Sequence, residues 1–215
     1  IEFYYNRHLK GGHNNFRVFK DALGNAFSAE TKRTDNTSGN NLVLTIDSNM
    51  QYIAETALQE AVDLNEAKSG LVIIIKPQTG AILAVAHNPL FNPNSYSSFD
   101  KSLWRNRAIT DPFEPGSIMK IFLAAGALEQ GKISSNTIFY CENGAYKIGS
   151  DVIHDVKPYK WLSLHHIVQY SSNIGAVKLG EMLGARYLYN TLRKFGFGEK
   201  TGIDCPGETA GSLRH

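Results

Sequence analysis

Residues 70–88 constrain the fold more than any other stretch of this chain. Two apolar runs, GLVIIIK (70–76) and AILAVAHN (81–88), are joined by PQTG (77–80). Each run is of strand length, and Pro77 and Gly80 supply a turn, so the pair reads as an antiparallel hairpin. Runs without polar alternation imply a sheet covered on both faces. A covering helix stands just upstream. Asp47 or Ser48 can cap a helix running to about Asn65, within which Met50, Ile53, Ala54, Ala57, Leu58, Ala61 and Val62 recur at helical spacing. NLVLTI (41–46) is a further strand candidate. Hairpins alternating irregularly with helices give an α+β fold class.

The rest of the chain fits that class. Residues 1–10 read as the end of a helix stopped by Gly11-Gly12. FRVF and the residues after Leu23-Gly24-Asn25 read as a short hairpin. RTDNTSGNN (33–41) is polar and turn-rich, a linker by composition. Residues 89–100 read as loop, and a very apolar helix follows Gly116 through Leu128. Two more helices are expected at about 162–170 and 174–195, the second broken near Gly184. The tail from Gly196 is glycine-rich and aperiodic, and no internal repeat is visible. With 42% hydrophobic and 20% charged residues, disorder and fibrous architectures are excluded. A formal charge of +2 gives no electrostatic argument for nucleic acid. Cys141 and Cys205 make neither a disulfide framework nor a zinc site. No apolar run approaches the ~20 residues of a spanning helix, and no signal peptide is visible. The chain opens at Ile1 rather than Met, so a start further upstream is expected.

Ser-x-x-Lys is the pattern that carries chemistry. Residues i and i+3 share a helix face, so a hydroxyl and an amine can meet there. A neutral lysine can then take the serine proton and activate a weak nucleophile. About one match is expected by chance in a chain this long; there are two. Ser98-Phe-Asp-Lys101 lies in a loop beside Asp100, whose charge favours a protonated lysine. Ser117-Ile-Met-Lys120 follows Pro115-Gly116 and opens the apolar helix, where the helix dipole favours developing negative charge. Desolvation there lowers the lysine pKa toward that of a useful base. The bland alternative stays open: Ser117 as an N-cap, with Lys120 snorkelling to water.

Ser-x-Asn occurs three times. Ser38-Gly39-Asn40 is in the linker. Ser134-Ser135-Asn136 lies past the far end of the helix that Ser117 opens, ~20 Å away at ~1.5 Å per residue. Ser171-Ser172-Asn173 lies in a break between two helices, where both side chains can face a cleft; an ordinary helix cap is the alternative.

The stretches RNRAITDPFEPGSIMKIF, YSSNIGAVKLGEMLG and GFGEKTGIDCPGE, in that order and spacing, resemble the transpeptidase domain of class B penicillin-binding proteins. So do NLVLTIDSNMQYIAETAL, SGLVIIIKPQTGAILAVAHNPLFNPN and CENGAYKIG. Arg-Asn-Arg ahead of Phe-Glu-Pro-Gly-Ser is closest to the division-type branch. The resemblance implies a penicillin-binding fold, an antiparallel sheet flanked by helices. Residues 41–215 would be the N-terminal portion of the transpeptidase domain, and 1–40 the end and linker of a non-catalytic pedestal. It implies Ser117 as the nucleophile toward D-Ala-D-Ala stem peptides and β-lactams, with its backbone N–H as half of the oxyanion hole. Lys120 would be the general base, Ser171 the proton relay to the leaving group, and Asn173 the amide that holds Lys120 and a substrate carbonyl. Tyr170 is expected to line the cleft as a substrate-binding side chain, with a core aromatic as the alternative. No cofactor or metal is implied. The implied partners are peptidoglycan stem peptides, β-lactams, a membrane glycosyltransferase and division proteins, but no nucleic acid. The implied location is the periplasmic face of the inner membrane, through an N-terminal anchor helix outside this chain.

The family's third motif departs from the pattern. Lys200-Thr201-Gly202 spells it, but Pro206-Gly207 stops any central strand there. The segment fits instead the family's GFG…TGID.PGE stretch, which precedes the real motif. The expectation is therefore a chain that ends before the Lys-Thr-Gly strand and is inactive in turnover alone, its hairpin 70–88 having one bare apolar edge. His165 and His166 read as core or surface histidines, Asp155 as structural, and Glu114 as a loop residue. A serine β-lactamase shares the nucleophile, but the Glu-x-x-Leu-Asn stretch for deacylation is not in this sequence. A non-catalytic penicillin sensor or scaffold is the remaining competitor.

Overall fold

A computed structural model describes residues 1–12, 16–31 and 38–214. By internal contacts the chain divides into two compact units, residues 1–111 with 203–208, and residues 112–202 with 209–215.

In the first unit, α1 (Glu2–Leu9) ends before Gly11-Gly12 as expected. It is followed by the antiparallel pair β1 (Phe16–Lys20) and β2 (Ala26–Thr31). Asp21 makes their turn, its Oδ1 accepting from the backbone of Leu23 and Asn25. Most of the expected linker, residues 33–37, lies outside the described residues.

Helix α2 (Ser48–Leu64) starts at Asp47, whose side chain accepts from the backbone N–H groups of Asn49 and Met50. Strands β3 (Gly70–Lys76) and β4 (Ala81–Asn88) form the expected hairpin. Ala54, Leu58 and Val62 of α2 are buried against Ala84 and Ala86, with Val72 and Ile74 packed beside them. At Gly70 a Cβ would lie 2.6 Å from Leu58 Cδ1, so only glycine lets the strand start this close to the helix.

Two expectations fail here. The outer face is open along β3, where Leu71, Ile73 and Ile75 are 38–50% exposed, while their partners Val85 and His87 on β4 are half-buried. An apolar run at both parities therefore did not mean two covers among the described residues. Residues 41–46 form no strand. The register slips between Ile74 and Ile75, so Leu83 has no partner on β3, and its carbonyl accepts the N–H of Asp47 (2.9 Å) instead. The side-chain amide of Gln51 takes both backbone groups of Val85, at 2.9 and 2.8 Å. The outer edge of β4 is thus filled by the Gln51 side chain at Val85, and at Ile82 and Leu83 by the Thr45 hydroxyl and the Asp47 N–H. Residues 93–98 make two 3₁₀ turns that meet at a kink at Ser95, residues 101–104 make one, and α3 (Arg107–Thr110) closes the unit's main segment.

The second unit is helical with two small antiparallel pairs. A 3₁₀ turn at Gly116–Ile118 runs into α4 (Met119–Glu129). Then come β5 (Ile138–Tyr140), β6 (Ala145–Ile148), β7 (Asp151–His154) and β8 (Trp161–Ser163), with β5 paired to β8 and β6 to β7. They lead to α5 (Leu164–Gln169), α6 (Asn173–Leu183) and α7 (Ala185–Lys194), the last two separated at Gly184 as expected. Ala124 and Ala127 of α4 pack on Leu164, Leu179 and Leu183. A second cluster joins Cys141, Leu162, Ile167 and Ile174. Gly175, where a Cβ would come within 2.5 Å of Ile167, lets α6 start directly against α5. These short helices are held by packing, since helices of this length are marginal alone. The tail after Gly196 has neither helix nor strand.

Candidate active site

The Ser117–Lys120 pair is formed. Ser117 sits exposed in the 3₁₀ turn, and Lys120 one turn on is 8% exposed. The Lys120 Nζ lies 3.1 Å from Ser117 Oγ. It also lies 2.7 Å from Ser171 O, 2.9 Å from Ser171 Oγ and 2.7 Å from Asn173 Oδ1. The structure thus gathers Ser117, Lys120, Ser171 and Asn173 at one point. It leaves Ser98 and Lys101 in separate 3₁₀ turns with no bond between them among the described residues.

Local folding explains how the second motif reaches Lys120. Helix α5 ends in a Schellman pattern, with Ser171 N–H to Val168 O (3.3 Å) and Ser172 N–H to Ile167 O (3.0 Å). Ser171 takes the left-handed position of that motif, φ +54°. Glycine usually stands there; serine costs about 1–2 kcal/mol but brings a hydroxyl. Ser172, 1% exposed, is the N-cap of α6, accepting from Gly175 N–H at 2.9 Å. The bland reading was right for the middle serine, while its two neighbours turn toward Lys120.

Asp155, after β7, is more than a turn residue. Its Oδ1 accepts from the backbone N–H groups of Asn173 (2.5 Å) and Ile174 (3.1 Å), and its Oδ2 from Ser172 Oγ (2.7 Å). The Asn173 amide donates its Nδ2 to His154 O (2.9 Å), which leaves Oδ1 to face Lys120. No local pattern signals these partners, because they lie 17–19 residues apart across β8 and α5.

The protonation logic follows from these contacts. Burial pushes the Lys120 pKa below its usual 10.5, and the Asp155 charge partly opposes that. A neutral amine has two N–H groups and one lone pair. Ser171 O and Asn173 Oδ1 can only accept, so they consume the two N–H groups. The one lone pair is then left for one hydroxyl at a time, that of Ser117 or that of Ser171, either of which can donate to it. The arrangement can therefore take a proton from Ser117 as that oxygen attacks an electrophile.

The other candidate residues stand apart from this chemistry or beside it. Tyr170 is 44% exposed and stacks with both Tyr159 and His166. His165 and His166 are exposed, and no group of acidic, histidine and cysteine side chains suited to a metal occurs among the described residues. Glu114 is exposed. Lys200, Thr201 and Gly202 lie outside any strand.

Comparison with known proteins agrees with this geometry. Residues 70–215 match the family described as penicillin binding protein transpeptidase domain. The chain is 37% identical over 202 residues to the "Probable peptidoglycan D,D-transpeptidase PenA" of Neisseria gonorrhoeae, covering 92% of this chain and 34% of that protein. It is 35% identical over 211 residues to the peptidoglycan D,D-transpeptidase FtsI of Escherichia coli, covering 98% and 35%. The TP domain of Burkholderia pseudomallei penicillin-binding protein 3 superposes with a TM-score of 0.70 at 35% identity, over 80% of this chain and 47% of that one. The chain spans about a third of the length of these curated relatives. With the expected α+β architecture in place and two thirds of its residues matched in sequence, the chain belongs to the penicillin-binding protein transpeptidase family.

Proposed function

We propose that this chain is the nucleophile-bearing part of a division-type peptidoglycan D,D-transpeptidase. The observation that carries the reading is Lys120, buried and surrounded by four oxygens, two of which belong to hydroxyls able to donate. Ser117 Oγ attacks the carbonyl between the two D-alanines of a stem peptide and passes its proton to neutral Lys120. The C–N bond breaks as Ser171 relays a proton to the departing D-alanine amine, leaving an ester on Ser117. The amine of a second stem peptide attacks that ester, forms the cross-link and frees the serine. Asn173 holds Lys120 and a carbonyl of the donor peptide, the Ser117 N–H supplies half of the oxyanion hole, and the edge of Tyr170 borders the cleft. Residues 41–215 would belong to the transpeptidase domain and 1–40 to the end of a pedestal. The whole protein would work on the periplasmic face of the inner membrane, anchored by a helix, beside a glycosyltransferase and division proteins. β-Lactams would acylate the same hydroxyl.

The test is mass spectrometry of the longest natural form of the protein containing this chain, after benzylpenicillin treatment. The expected result is a stable adduct on the peptide carrying Ser117, absent from Ser117→Ala. An adduct elsewhere or none refutes the reading, and rapid hydrolysis of the adduct would make the protein a β-lactamase.

A further inference from the structure

Three rings stand together beside Ser171. His166 and Tyr170, four residues apart on α5, lie parallel at 5.3 Å and 6°. Tyr159, from the loop between β7 and β8, lies parallel to Tyr170 at 5.6 Å and 11°. Both ends of this stack are tied down. Tyr159 packs on the buried cluster of Cys141, Leu162, Ile167 and Ile174. His166 Nδ1 is 2.9 Å from Ser163 Oγ, which also accepts the His166 N–H at 3.2 Å.

The stack stands where the backbone most needs support. Helix α5 has six residues and does not hold itself. Its C-cap is Tyr170, and the next residue, Ser171, is in the left-handed conformation that L-residues avoid. In that conformation both the carbonyl and the hydroxyl of Ser171 meet Lys120, at 2.7 and 2.9 Å. On its far side the turn is fixed by Asp155. On its near side, Tyr170 is the last side chain before the strained residue.

We propose that the stack of His166, Tyr170 and Tyr159 is a positioning element, which clamps the end of α5 so that Ser171 keeps the conformation that delivers both of its oxygens to Lys120. The inference rests on the catalytic reading of Ser117 and Lys120 above. Tyr170 then acts through Ser171 rather than by contact with the acyl donor, and any flat ring at position 170 serves.

Two readouts test it on Tyr170→Ala, Tyr170→Phe and His166→Ala. The first needs no chemistry: amide hydrogen exchange at Ser171 and Ser172, whose N–H groups close α5. Tyr170→Ala is expected to speed exchange there by about tenfold and His166→Ala by less, with Tyr170→Phe like the wild type. Unchanged exchange in Tyr170→Ala overturns the proposal, and His166→Ala decides it in the same way if Tyr170→Ala does not fold. The second readout is acylation by two β-lactams with different acyl side chains. Tyr170→Ala should lower the limiting acylation rate about tenfold for both, leave the preceding affinity within about twofold, and be rescued by Tyr170→Phe. A loss that lies in affinity and differs between the two β-lactams makes Tyr170 a substrate contact and overturns the proposal. A wild-type protein that is not acylated at Ser117 refutes the transpeptidase reading alone, and exchange still decides the stack.

Discussion

Removing the Asp155 carboxylate should damage this site more than any other single change outside Ser117, Lys120, Ser171 and Asn173. Asp155→Ala strips the acceptor from two backbone N–H groups at the start of α6 and from the hydroxyl of Ser172, which is 1% exposed. A lost helix cap costs about 1 kcal/mol and a buried hydroxyl left short of a partner about 1–3 kcal/mol. Together these give roughly 2–4 kcal/mol, or a fall of about 5–15 °C in melting temperature for a chain of this size. Asn173 loses its tether in the same step, so acylation should drop about a hundredfold. Asp155→Asn separates charge from geometry. Its amide oxygen can still accept the two N–H groups, so most of the stability should remain. The charge that opposes the burial of Lys120 is gone, however, and among the described residues Asp155 is the one charge acting on that amine. The Lys120 pKa should fall further, the neutral fraction at a given pH should rise, and the acid limb of the acylation profile should move to lower pH. Stopped-flow acylation against pH and thermal melting check both variants. An unmoved acid limb in Asp155→Asn together with an unchanged melting temperature in Asp155→Ala would refute the reasoning.

Other perturbations give sharper local readings. Gly175→Ala puts a Cβ within 2.5 Å of Ile167, which should cost about 1–3 kcal/mol by melting and slow acylation as α6 is pushed off α5. Lys120 has a folded pKa below its usual 10.5, so the unfolded chain binds more protons between those two values and stability should rise with pH through that window. Lys120→Met should flatten that rise in pH-dependent melts and abolish acylation. Asp47→Ala removes the cap of α2 and should cost about 1 kcal/mol in denaturant unfolding, with acylation unchanged.

Much of this architecture is legible in the amino-acid sequence. Helix α2 had a capping acid and a clean apolar stripe, and the hairpin had two strong runs and an unambiguous turn; local signals sufficed. The choice of Ser117 over Ser98 also rested on local physics, the apolar helix behind one and the acid beside the other. The strand at 41–46 was misread because its intended edge is filled by the Gln51 amide and interrupted at Leu83, and neither event is encoded in residues 41–46 themselves. The open outer face of β3 among the described residues is not legible either, because a run of Ile and Val is equally compatible with one cover or two. Asp155 reads as structural from the sequence and is so; which groups it holds is not legible locally, because they lie in a turn 17 residues or more away that the chain must first fold to create.

Two helices begin at this site, and they begin differently. The start of α6 is plugged, with Ser172 and Asp155 occupying its free donors. Neither the start of α4 nor the turn leading into it carries a side-chain cap. One of the two electropositive ends is thus spent on rigidity, and the other stays unquenched next to Ser117. Any future redesign that adds a capping acid near Gly116 to gain stability would neutralise the end that the proposed attack by Ser117 draws on.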